Sequence, residues 1–214
     1  MSRVRFGALA TALAGVMFIL YPAVRPWHDE TTLDGAIASL SSSSWVYSHF
    51  FAMIGFILVP AGMLALRKTL RETKAERTAF LALVFSWLGA GLVLPYYGAE
   101  DFGLHTIAKQ TASGQPIDVV AASEAFRYQP LAMSMFAGGL LLLAVAGVLA
   151  AVAVWRSGVL PRYSGLLFGI GYALFLPQFF TPSAARIAHG IILGAGLFWL
   201  AATLWRANRI EPAA

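Results

Sequence analysis

Cysteine is absent from the 214 residues, and charge is scarce: 12% of the chain is Asp, Glu, Lys or Arg, against 59% hydrophobic residues. Without thiols there is no disulfide, thiolate nucleophile, cysteine-ligated zinc or iron–sulfur cluster. Any metal ligands would have to be His, Asp or Glu. So little charge, with a mean hydropathy of +0.72, leaves more apolar surface than one soluble core of this size needs. In hydrocarbon every backbone amide must pair internally. The abundance of Leu, Ala, Gly and Val points to helices, not to the alternating strands of an outer-membrane barrel. The net charge of +5 does not imply nucleic acid as a partner, because the basic residues gather at the ends of apolar runs instead of along one face.

Apolar runs near the roughly 20 residues that cross a bilayer occur at 6–24, 45–66, 79–97, 131–155, 162–181 and 184–205. They predict a single all-α domain, residues 1–214, with six transmembrane helices. The first run follows Arg3 and Arg5 in the manner of a secretory leader. It continues into Tyr21, Pro22 and Arg25 without a small-residue cleavage site, and is expected to remain as a helix.

Positive charge sets the orientation. With the N-terminus in the cytoplasm, Arg3, Arg5, Arg67, Lys68, Arg71, Lys74, Arg77, Arg156, Arg162, Arg206 and Arg209 lie inside. Arg25, Lys109, Arg127 and Arg186 lie outside. Both termini are therefore expected in the cytoplasm of a multi-pass protein of the cell membrane. Outer segments 25–44 and 98–130 are long. The second is expected to form short lid helices at Ala99 to Gln110 and Ile117 to Tyr128, separated by the Ser113 to Pro116 breaker.

This topology places all four histidines outside, with the acids Asp29, Glu30, Asp34, Glu100, Asp101, Asp118 and Glu124; Glu72, Glu76 and Glu211 fall inside. His49 and His189 sit about one turn within their spans and are expected at similar depth, since each residue rises about 1.5 Å. An ionisable residue inside a span marks a site, because something must offset its desolvation. Asp101 and His105, four apart, share a helical face, and Glu100 points elsewhere. Neighbouring carboxyls beside aromatic residues oppose each other's ionisation, so one is expected to stay protonated and able to donate. The expected catalytic set is Asp101, Glu100, His49, His105 and His189. The expected substrate-binding set is Trp45, Tyr96, Tyr97, Phe102, Tyr128, Phe179, Phe180 and Arg186.

The small size, helical membrane architecture and acid-plus-aromatic stretch Tyr96 to His105 resemble the integral-membrane terpene cyclases of meroterpenoid pathways, including those acting on prenylated indoles. The resemblance implies proton-initiated cyclisation of a lipophilic prenylated molecule, an isomerisation that needs no cofactor and no metal. A carboxyl would protonate an alkene, ring faces would stabilise carbocations, and a histidine would orient the acid or take the last proton. Two other readings stay open. His49, His105 and His189, with Asp101, are the residue types of a metal or haem site. A non-enzymatic lipid-binding or scaffold role would show as a closed outer pocket with no room for substrate.

Overall fold

The computed structural model describes residues 2–207, so Arg209 and Glu211 lie outside the described part. Every regular element described is helical: α1 (Arg3–Val24), α2 (Leu33–Leu40), α3 (Ser43–Thr69), α4 (Glu76–Gly98), a π-helical segment Ala99–Leu104, α5 (His105–Ala112), α6 (Val119–Arg127), α7 (Pro130–Arg156), α8 (Leu166–Ala173), a 3₁₀ turn Pro177–Phe180 and α9 (Ser183–Ala207). Five helices are long and apolar enough to cross a membrane: Arg3–Val24, Ser43–Thr69, Glu76–Ala112, Pro130–Arg156 and Ser183–Ala207.

The stretch 162–181, expected as one span, is instead broken. A turn at Pro161 to Leu166 precedes the eight-residue α8. A second turn at Tyr172 to Phe175 runs into Pro177, which has no N–H to continue a helix.

Local chemistry explains where the helices begin. Ser42 accepts from the Trp45 amide at 3.1 Å and starts α3, giving the serine run a capping role. Asp118 accepts from Ala121 to start α6, and Gln129 caps α7 ahead of Pro130 at its first position. Gly158, at φ 69°, supplies the left-handed turn just past α7.

The helices pack as a ring. α1 lies against α3, α3 against α4, α4 against α7, α7 against α8, α8 against α9, and α9 against α1. Small residues bring the axes close: a Cβ on Gly15 of α1 would stand 3.1 Å from the Gly194 carbonyl of α9, which leaves no slack for a side chain. The centre of the ring is aromatic, with Phe18 against Phe56 (5.1 Å between ring centroids) and Phe175 against both (5.7 and 5.1 Å).

At the end of the ring that holds the start of α3, helices α2, α5 and α6 pack on one another. They share a second core of Ala36, Leu40, Trp45, Leu104, Ala108 and Val119. Helix α2 was not foreseen within segment 25–44. Its eight residues are too few for a clear apolar periodicity, and Thr32 caps it.

Candidate functional site

The polar residues at this end form a continuous chain of charge. Beyond α1, the Trp27 indole donates to the Pro22 carbonyl at 3.1 Å and turns the backbone across the bundle end. That turn sets Arg25 beside the rings of Trp27 (4.6 Å) and Trp45 (5.0 Å), a cation–π arrangement. Arg25 pairs with one oxygen of Glu30 at 2.7 Å, and the other oxygen accepts from Arg127 at 2.7 Å. Arg127, the last residue of α6, also donates to Glu100 from Nε at 2.9 Å.

Two cations and two anions thus cancel within a mostly buried network that ties together the α1–α2 segment, α6 and the π-helical turn. Burial alone opposes the Arg127 charge, yet Glu100 and Glu30 outweigh it and hold its pKa above the ordinary guanidinium value.

His49 stands next in line, on the second turn of α3 and almost fully buried. Its Nδ1 lies 2.9 Å from the Trp45 carbonyl. A carbonyl only accepts, so Nδ1 carries the hydrogen, and in the neutral ring Nε2 is a free acceptor. Nε2 faces Glu100 Oε2 at 4.0 Å, longer than a direct hydrogen bond. Trp45 packs on the imidazole at 4.1 Å, with Tyr97 at 5.7 Å and Tyr21 at 5.8 Å; the Tyr97 hydroxyl donates to that of Tyr21 at 3.2 Å.

Glu100 and Asp101, neighbours in sequence, meet different fates on the π-helical turn, a geometry that occurs mostly as single turns inside α-helices and is frequent at functional sites. Glu100 joins the ion network. Asp101 is 0% exposed, and neither carboxyl oxygen has a hydrogen-bond partner. An unpaired buried carboxyl is costly, so a fold that keeps one calls for an explanation.

The other expected residues divide. His105 Nδ1 bonds the Leu40 carbonyl at 2.8 Å and joins α5 to α2; His189 Nε2 bonds the Gly171 carbonyl at 2.7 Å and joins α9 to α8. Each imidazole thus holds a backbone carbonyl, and neither is brought to Glu100. Tyr96 stacks on Phe136 at 4.2 Å, and Phe179 meets the same ring at 5.5 Å. Arg186 donates to Gln178 at 3.0 Å and lies over Trp27 and Phe179. Phe102, Tyr128 and Phe180 are exposed, at 56%, 71% and 85%.

Between Tyr21, Gln178, Arg186 and His189 lies a cavity of about 10 Å³, space for no more than one water molecule. Among the described residues no three His, Asp or Glu side chains are grouped to hold a metal ion.

Sequence reasoning missed Arg25, Glu30 and Tyr21 and placed Arg127 among the outer cations, where bridging of carboxylates was one of its open roles; it bridges Glu30 and Glu100. The one available signal was the crowding of Arg25, Trp27 and Glu30 just after an apolar run, which otherwise reads as a wet loop. No family model, curated protein or solved structure matches this chain.

Proposed function

We propose that the chain is a cell-membrane enzyme that isomerises a lipophilic prenylated or terpenoid molecule by acid–base chemistry at the outer end of its bundle. Both termini face the cytoplasm in this reading, as the excess of Lys and Arg at the opposite end favours. The broken α8 segment makes a sixth crossing, since it fills the ring position between α7 and α9. Helices α2, α5 and α6 act as the lid.

The observation that carries the reading is Asp101, buried without a partner beside a Glu100 that Arg127 keeps paired. The unpaired carboxyl is the one that a dry site accommodates as the neutral acid. Asp101 donates its proton to an alkene carbon, leaving a carbocation that the faces of Trp45, Tyr97 and Phe136 stabilise. Ring closure moves the positive charge along the chain, and loss of a proton to His49 Nε2, with Glu100 facing the imidazolium, restores an alkene. One proton enters and one leaves, so product and substrate have equal mass.

Substrate entry requires the lid helices to part, because Asp101 and His49 are both buried. The burial of both groups favours a second reading, a non-enzymatic lipid-binding or scaffold protein.

The test is to incubate membranes containing the protein with linear prenylated indoles and terpenoids and to look for isomers of unchanged mass. Asp101→Asn is expected to lower turnover about 10²–10⁴-fold while the protein inserts and purifies normally. Full activity in that variant would remove Asp101 as the acid. No isomer from any candidate, with the lid residues fixed on every timescale of hydrogen exchange, would leave the second reading.

A further inference from the structure

A large cleft lies at the opposite end of the bundle from Asp101. Helix α7 has 27 residues, about 40 Å of helix, and its last turns carry Trp155 and Arg156 far from the lid. Because α8 is short and starts only at Leu166, the wall beside α7 is incomplete, and a groove of about 610 Å³ opens between them. Its sides are apolar, with Val152, Leu166 and Ile170 among them, and these side chains are exposed. Its volume falls in the range of ligand clefts, roughly 300–1,000 Å³.

The groove ends in a cationic mouth made of Arg156 and Arg162. Arg162 lies over Trp155 at 4.7 Å and over Tyr163 at 4.6 Å, and its Nη2 donates to the Tyr163 hydroxyl. The guanidinium is thus held in place before any ligand arrives. Neither arginine has a carboxylate partner among the described residues, whereas Arg25, Arg67 and Arg127 all do. An apolar groove long enough for a hydrocarbon chain, ending at a Trp–Tyr pair in two guanidinium groups without a carboxylate partner among the described residues, has the charge and shape to take an acyl chain bearing a phosphate.

We propose that this groove binds one anionic phospholipid, its phosphate at Arg156 and Arg162 and an acyl chain along Val152, Leu166 and Ile170. Guanidinium suits phosphate because its fork of N–H donors matches two oxygens at once. Basic pockets between helices near a membrane surface select anionic head groups for the same reason. The site is separate from Asp101 and His49 and does not depend on the enzymatic reading.

The experiment is native mass spectrometry of the full chain in mild detergent, exchanged with equimolar phosphatidylglycerol and phosphatidylcholine of identical acyl chains. Phosphatidylglycerol is expected to be retained over phosphatidylcholine by roughly tenfold or more. The double variant Arg156→Gln with Arg162→Gln should bring that ratio close to one, with phosphatidylglycerol losing more than phosphatidylcholine, and Val152→Trp should lower the binding of both lipids. Both arginines are exposed, so their replacement leaves the packing intact.

Equal retention of the two lipids by the unaltered protein would overturn the proposal without reliance on any variant. Displacement of the lipid by glycerol phosphate alone would overturn it too, since that would mark a site for free phosphate. A lipid-free dimer with the groove covered by a second copy would count equally against it.

Discussion

At one end of the bundle Arg127 reaches Glu30 at 2.7 Å and Glu100 at 2.8 Å; at the other, Arg67 reaches Glu76 at 2.8 Å. The distances match, but the surroundings do not. The side chains of Glu30 and Glu100 are each 13% exposed, whereas Arg67 is 41% and Glu76 30% exposed. Water screens the second pair and has largely left the first. The same ion-pair chemistry is therefore a minor surface feature at one end and, at the other, a constraint that fixes three segments of chain around His49. Removing one partner of a buried pair costs far more than removing one of an exposed pair, because the remaining charge has no solvent to turn to.

The largest break in this comparison comes from Arg127→Met, which leaves Glu30 and Glu100 short of a cation. A loss of about 3–5 kcal/mol is expected, read from denaturation in detergent, with partial recovery when Glu100→Gln is added. A loss of under about 1 kcal/mol would place the network on the same footing as the exposed pair.

Asp101→Leu tests the other anomaly of this end. Replacing a buried carboxyl that has no partner should stabilise the protein by about 1–3 kcal/mol while abolishing any chemistry that Asp101 performs. A destabilised variant would show that the carboxyl is bonded in the native protein.

His105→Phe keeps the ring and removes the bond to the Leu40 carbonyl. The expected cost is about 1 kcal/mol, with faster hydrogen exchange in residues 33–40 as the local mark. Smallest of all, Arg67→Gln should change stability by about 0–1 kcal/mol, an effect that salt reduces further.

The long helices were legible because their apolar runs are unbroken and their ends carry caps. The run 45–66 becomes Ser43–Thr69 with Ser42 as its cap, and 131–155 becomes Pro130–Arg156 behind Gln129. Segment 162–181 was not legible as a broken element, since apolar content alone does not distinguish a helix from a buried turn, and the decisive features are local turns around Pro161 and Pro177. In the candidate site, His49 and Glu100 were each named from the sequence but not as a pair, and the structure sets His49 Nε2 4.0 Å from Glu100 Oε2. His189 was foreseen for its depth in the span, but the depth of a residue does not give its direction around the helix axis, and its imidazole turns to Gly171.

The sequence by itself determined the apolar character of this protein, its helical class, the approximate places of five long apolar helices and the gathering of acids, histidines and aromatic rings toward one end, but not that the helix expected to end at residue 97 runs on through a π-helical turn to Ala112. Those follow from composition and from the length of apolar runs, which depend on residues near one another in the chain. The tertiary structure alone decided that Glu30 and Arg127, 97 positions apart, meet, that Glu100 is paired while Asp101 is left bare, and that a short α8 opens a groove beside Arg162. Each of these depends on how the helices turn and abut, and in the sequence a charge that ends in a dry network looks the same as one that ends in water.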